Sequence, residues 1–322
     1  MAEAEVGDDV FGEDPTVNHL QDYLAGFLGK EAALFVPSGT MGNEICINVL
    51  SRPGDEVICE KGCHIYNYES GAIPFLSGVQ LRPVAGTRGV MTAEQVEAVI
   101  QPPYEHLPRT SVVAIENTHN SAGGTIFPIS EVQRLFELTR SRGLKLHLDG
   151  ARIWNASVAC GIELKEYAQY CDTISICFSK GLGAPVGSAI AGTKEFIQEA
   201  RRVRKVFGGG MRQVGILAAG ALFALQNNIN RLVDDHKHAK MLAEALQKLP
   251  GITLDLESVQ TNIVIFDVAT SGLAALDVIE KLKRYDILVV PFGPTTLRAV
   301  THLNIKREDI ERTIDSFQKI FY

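Results

Sequence analysis

Two charged residues stand where short apolar runs end. Asp149 closes LKLHLD and is followed by Gly150, Ala151 and Arg152, and Lys180 closes TISICFS and is followed by GLGAPVG. In open α/β sheets, ligands gather beyond the C-terminal ends of strands, so an aspartate and a lysine at two neighbouring strand ends face one crevice. A strand-end salt bridge would use the same two residue types. Upstream, Ser38, Gly39 and Thr40 follow the first apolar run and open a helical stretch, GTMGNEICINVL. Small and hydroxyl-bearing residues at a helix N-terminus make a phosphate cradle, because backbone N–H groups and the helix dipole point at the anion. An ordinary helix cap needs no more than that Ser38 or Thr40. The run KVFGGGMR, from Lys205 to Arg212, pairs two cations with three glycines. Glycines permit close backbone approach and the cations suit phosphate; the alternative is an exposed turn.

A phosphate cradle, a strand-end lysine and a strand-end aspartate together point to pyridoxal phosphate. The lysine amine forms the Schiff base, and the carboxylate keeps the pyridine nitrogen protonated so that the ring can act as an electron sink. Two histidines follow strands. His64, in CEKGCHIYNYESG, could stack on a cofactor ring, and His119, in ENTHNSAGG, could touch a substrate hydroxyl. Either could equally be a surface loop histidine. Cys59, Cys63 and His64 have poor spacing for zinc and no second Cys/His pair follows, so no metal is expected. Neither GxGxxG nor GxxxxGK[ST] occurs, which leaves nicotinamide and ATP sites without support. The acidic start (Asp8, Asp9, Glu13, Asp14) reads as a solvated face rather than an interface or a cation site.

The elements that must position these residues alternate between short β-rich runs and helical stretches. Expected strands are Ala33–Val36, Glu56–Glu60, Gln80–Pro83, Ser111–Glu116, Lys145–Asp149, Thr173–Phe178 and Ser188–Ala191. Helical segments such as Ser130–Ser141 and Ile162–Gln169 lie between them. Several strands are apolar on nearly every residue, as when helices cover both faces of a mainly parallel sheet. After about Asn228 the style changes: a polar helix over Ile229–Lys248, Thr261–Asp267, a helix over Leu276–Tyr285, and short strands at Ile287–Val290 and Leu297–Thr301. The reading is an α/β domain over 1–230 followed by a smaller α+β domain over 231–322. In 322 residues, 31 Lys+Arg against 38 Asp+Glu give a formal net charge of −7, which argues against general nucleic-acid or membrane-surface binding. The longest apolar stretch, Gly215–Leu225, is shorter than the ~18 residues that span a bilayer. Six cysteines without a regular framework read as reduced thiols in a cytoplasmic protein.

The motifs EVGDDVFGEDPT, FVPSGTMGN, HIYNYESGA, ENTHN, HLDGARIWNA, SKGLGAPVGS, GGGMRQ, DDH and LRAVTHLNI, in that order, closely resemble the low-specificity L-threonine aldolases. These are pyridoxal phosphate enzymes of the aspartate-aminotransferase-like fold type I, and the resemblance covers essentially the whole chain. It implies that Lys180 carries the cofactor, that Asp149 pairs with its pyridine nitrogen, that His64 stacks on its ring and that Arg152 sits near ring oxygen and substrate. Gly39, Thr40 and Ser179 would hold the phosphate, with Lys205 and Arg212 reaching in from a neighbouring subunit. Arg298 would bind the substrate carboxylate, and His119, Tyr68 and Phe11 would line the side-chain pocket. His64, His119 or a water would take the β-hydroxyl proton as threonine splits into glycine and acetaldehyde.

The same resemblance implies a homotetramer, a dimer of dimers with shared active sites, acting on a small amino acid. Relatives usually carry a further stretch, with a pattern like DLRSDTVT, ahead of EVGDDV. A serine there helps bind the substrate carboxylate, so weakened aldolase activity is expected of the chain as written. Competing readings are another pyridoxal phosphate reaction on the same frame, β-elimination or serine hydroxymethyl cleavage, and a non-catalytic protein that keeps the fold.

Overall fold

The computed structural model describes residues 1–322. Its seven-stranded sheet comprises β1 (Ala32–Val36), β2 (Glu56–Glu60), β3 (Gln80–Val84), β4 (Thr110–Glu116), β5 (Lys145–Gly150), β6 (Thr173–Cys177) and β7 (Ser188–Gly192). The spatial order is β1-β7-β6-β5-β4-β2-β3. Strands β2 to β6 are mutually parallel, and β7 runs against both β6 and β1. The reversal has a simple cause. Residues 178–187 are too few for a crossover helix, which needs about a dozen residues or more, so the chain folds straight back. Since β1 is antiparallel to β7, it points the same way as the rest. The C-terminal ends of every other strand and the start of β7 therefore meet at one edge.

Strands β2, β4, β6 and β7 are buried along their whole length, as a sheet covered by helices on both faces requires. The helix Gly39–Leu50 lies over β5, β6 and β7. On the other face Val113, Leu146, Ile174, Phe178 and Trp154 belong to the main apolar core. A second, separate core includes Leu242, Leu246, Phe266, Leu282 and Phe317. It is built on a three-stranded antiparallel sheet, β8 (Ile263–Asp267), β9 (Val290–Pro291) and β10 (Thr296–Val300), ordered β8-β10-β9. The helices Leu232–Leu246, Ala275–Lys283 and Arg307–Phe321 cover it. The strand expected at Ile287–Val290 is cut down to Val290–Pro291. Ile287 N–H is spent on the carbonyl of Leu282 at the end of the preceding helix, and Pro291 has no N–H with which to extend the ladder.

The acidic start is not the solvated face its composition suggests. Asp9 and Asp14 are both fully buried. Asp14 caps the helix Pro15–Leu28 by accepting from the N–H groups of Thr16 and Val17, and its second oxygen accepts from Gly215 N–H at 2.8 Å. No side chain other than hydrogen fits at Gly215, because a Cβ would fall 2.3 Å from Asp14 Oδ1. Asp9 accepts from Arg204 Nη2 at 2.6 Å, and Arg204 Nη1 donates to the Phe35 carbonyl at 2.8 Å. The pair ties the chain start to β1 and to the helix Lys194–Val206. Removing one partner of a buried pair strands the other charge, so Asp9→Asn should cost about 3 kcal/mol in urea unfolding. A double Asp9→Leu, Arg204→Met variant should recover most of that loss. A single variant within about 1 kcal/mol of the parent would show that the pair is not what anchors this segment.

Candidate active site

The convergent strand ends enclose a cavity of about 280 Å³, lined by Gly39, Thr40, His64, Asp149, Ser179 and Lys180 among others. Gly39 and Thr40 are the first residues of the helix Gly39–Leu50, capped by Ser38, whose hydroxyl accepts from Met41 N–H at 3.2 Å. A Cβ on Gly39 would come 2.7 Å from Cys177 Sγ, so glycine is what lets the helix start close against β6. The free N–H groups of this first turn, with the dipole behind them, make the opening attractive to an anion.

Asp149, at the end of β5, is buried. Its Oδ1 accepts from Ala151 N–H and its Oδ2 from Asn43 Nδ2, both at 3.0 Å. The same Asn43 amide donates to Glu69 Oε1 at 2.9 Å, and that oxygen lies 2.7 Å from His64 Nδ1. Asn43 Oδ1 in turn faces His147 Nε2 at 3.2 Å, while His147 Nδ1 is 2.9 Å from Thr173 Oγ1. Burial holds His147 down at about 4, so it is neutral. Asn43 Oδ1 can only accept; hence His147 carries its proton on Nε2 and accepts from the Thr173 hydroxyl on Nδ1. For His64, burial opposes the charge, but the Glu69 bond and the nearby Asp149 outweigh it and leave its pKa above the ordinary imidazole value. His64 is the first residue of a short helix, His64–Asn67, and its N–H donates to Glu116 Oε2 at 2.7 Å. With Nδ1 held by Glu69, Nε2 is the nitrogen left for the cavity.

A second chamber of about 410 Å³ shares Ser179 and Lys180 with the first and adds Arg152, Asn262, His302 and Asn304. Lys180 thus stands between an acidic and a basic compartment. Arg152 Nη1 and Arg298 Nη1 both donate to Asn120 Oδ1, at 3.2 and 2.8 Å. Arg298 lies with its guanidinium carbon 5.2 Å from the centre of the Phe292 ring, and its Nε is buried without a partner. Burial holds both arginines below their ordinary pKa, and Arg152 is pushed further by the charge of Arg298. Two guanidiniums on one neutral amide form a site short of an anion.

Other expected residues are placed elsewhere. His119 is buried with both nitrogens engaged, Nε2 with Glu60 Oε2 at 2.9 Å and Nδ1 accepting from Ala122 N–H at 3.2 Å, and it does not line the cavity. Tyr68 is exposed and lines neither cavity; its ring centre lies 5.7 Å from that of His64 and 6.3 Å from that of Phe292. Phe11 is 70% exposed under Arg212 and outside the pocket of its own chain. Lys205 lines a surface groove and Arg212 pairs with Asp8 at 2.5 Å, so neither reaches the Lys180 cavity of this chain. A larger cavity, about 1140 Å³, lies at the opposite edge of the sheet among Arg52, Arg109 and Lys145 and holds none of the buried, unpartnered polar groups. Asn43, Glu69 and Asn120 were not foreseen. The available signals were Asn43 one helical turn after Gly39 and Asn120 in the strand-end segment ENTHN.

The beta-eliminating lyase family matches residues 1–269. The probable low-specificity L-threonine aldolase 2 of Arabidopsis thaliana is 44% identical over 327 residues, covering 100% of this chain and 92% of the relative. The low specificity L-threonine aldolase of Escherichia coli K12 is 43% identical over 311 residues, covering 96% and 90%. The threonine aldolase structure from Leishmania major superposes with a TM-score of 0.85 at 22% identity, covering 99% of this chain and 93% of that one. That likeness shows the shared fold, and the closer sequence matches show the kinship: this chain belongs to the beta-eliminating lyase family, among the low-specificity L-threonine aldolases.

Proposed function

We propose that this protein cleaves L-threonine and L-allo-threonine to glycine and acetaldehyde with pyridoxal phosphate held on Lys180. The observation that carries the reading is the placement of Lys180 between a carboxylate-lined cavity and a chamber bordered by Arg152, whose partner Asn120 also holds Arg298. The residues fit the cofactor. The helix opening at Gly39, where a side chain would collide with Cys177, suits the phosphate, Asp149 suits a protonated ring nitrogen, and Lys180 is the amine between them. When bound, the cofactor supplies an electron sink for the pair released as the Cα–Cβ bond breaks.

In this proposal the residues divide the work by charge. Gly39, Thr40 and Ser179 hold the phosphate, with Lys205 and Arg212 of a second copy completing it in a homotetramer. Asp149 keeps the ring nitrogen protonated. Arg298 and Arg152, oriented by Asn120, bind the substrate carboxylate in the geometry that planar guanidiniums favour. His64 stacks on the ring, and its Nε2, directly or through a water, takes the β-hydroxyl proton. Tyr68 borders the side-chain end. The free cysteines fit a cytoplasmic location. No helix is long and apolar enough to cross a membrane.

The deciding experiment adds pyridoxal phosphate, records the visible spectrum, and then assays acetaldehyde and glycine from L-threonine or L-allo-threonine. The parent should show the band of lysine-bound cofactor and release both products, and Lys180→Ala should show neither. Ammonia with a keto acid would replace this reading by β-elimination. Arg298→Lys should raise KM about tenfold or more, since a lysine cannot make the two-pronged contact. An unchanged KM would move the carboxylate elsewhere.

The base form of His64 is populated only above its raised pKa, so kcat should fall on the acid side with a midpoint above 6.5. His64→Phe should abolish that limb and most of the turnover; near-normal cleavage would remove His64 from the role. Mixing inactive Lys180→Ala with inactive Arg212→Ala subunits should restore part of the activity, and no recovery would exclude a shared site.

A further inference from the structure

The cavity wall holds a carboxylate that the proposed chemistry does not use. Glu44 follows Asn43 on the helix Gly39–Leu50 and is 1% exposed. Neither of its side-chain oxygens has a hydrogen-bond partner, and the same is true of Glu69 Oε2. Glu69 lies within hydrogen-bonding reach of it. Two carboxylates in contact cannot both accept; a proton on one of them is the only donor available.

The elements packed on this helix include the segments Ala72–Ser77 and Lys194–Val206 and strands β1, β4, β5, β6 and β7. Their titratable groups nearest the site are engaged elsewhere: Asp149 and His147 with Asn43, Glu116 with the N–H groups of His64 and Asn120, Arg204 with Asp9, and Cys177 with Ser188. None bonds Glu44.

We propose that Glu44 and Glu69 form a buried acid pair that holds one proton between them, and that this pair is a positioning device for His64. The Glu44 hydroxyl donates to Glu69 Oε2, while Glu69 Oε1 accepts from Asn43 and His64 Nδ1. Glu69 is thereby gripped on both oxygens, and the His64 ring is fixed by an acceptor that cannot swing away. The shared proton also limits the cluster of Asp149, Glu69 and Glu44 to two negative charges instead of three. Burial, with the Glu69 charge added, pushes the Glu44 carboxyl up to about 8, so the proton is retained at neutral pH. Only the final link, the use of His64 in turnover, rests on the aldolase reading.

The test uses the whole chain without added cofactor. Infrared difference spectra taken between about pH 6 and pH 9 should contain the carbonyl band of an un-ionised carboxylic acid, fading near 8. Glu44→Gln should lack the band. Glu69→Gln should keep it but shift its fading to lower pH by about one unit or more, because the neighbouring charge is gone. By NMR, the His64 imidazole of Glu69→Gln should titrate lower than in the parent. A parent without the band, a band that survives Glu44→Gln, or Glu69→Gln with an unmoved band and an unmoved His64 would each overturn the proposal. If Glu44→Gln does not fold, the two Glu69→Gln shifts decide it alone. Acetaldehyde release tests the aldolase reading through a different signal, so failure of one is visible apart from failure of the other.

Discussion

A buried carboxylate needs a donor, and at the centre of this protein one amide serves two of them. Asn43 Nδ2 reaches Asp149 and Glu69 together, and its carbonyl is held by a neutral His147. The arrangement locks more than the two acids. Asn43 lies on the helix whose first residues, Gly39 and Thr40, face the cavity, so fixing Asn43 fixes the rotation of that helix about its axis. The anion-attracting helix start is thereby held in register with the strand-end aspartate of β5. Through Glu69 the same amide sets the angle of the His64 ring. One side chain therefore aligns the three features that the chemistry would need at once.

The second constraint is topological. Lys180 lies in the short return between β6 and β7, and that return is antiparallel because residues 178–187 leave no room for a helix. A crossover would have carried the chain to the far edge of the sheet before it could come back. The tight return instead keeps the lysine at the edge where Asp149 and the Gly39 helix start already converge. Facing it from the second core, β10 presents Arg298 toward Asn120, the residue after His119 in the segment that leaves β4. The two cores thus contribute opposite walls to one site.

The strands were legible because their residues are apolar on both faces, and the strand-end positions of Asp149 and Lys180 followed from that. The reversal of β7 was not legible, since an apolar run carries no direction. Nor was the burial of Asp9, whose partner Arg204 lies 195 residues away; no local pattern announces a charge that is neutralised from so far along the chain. The pairing of His119 was hidden for the same reason. Its buried partner Glu60 ends a different strand, and the pairing consumes a ring that the loop context left free. Asn43 and Glu69 were passed over because polar residues destined for burial look, in sequence, like polar residues facing water. Only their partners distinguish them, and the partners come from other elements.

The electrostatic layout has a consequence for how a substrate would lie. The acids line the cavity on one side of Lys180, and Arg152, joined to Arg298 through Asn120, borders the chamber on the other. Asp149 and Glu69 are buried, so solvent screens their charges weakly. In the proposed orientation an amino acid would carry its ammonium toward Asp149 and Glu69 and its carboxylate toward Arg152 and Arg298; turned end for end, its carboxylate would face the two acids. That orientation would send the side chain toward His64 and Tyr68, where the proposed base, His64 Nε2, would meet a β-hydroxyl. Tight electrostatic control of the amine and carboxylate, with an open rim at the side-chain end, is the physical form that low specificity would take.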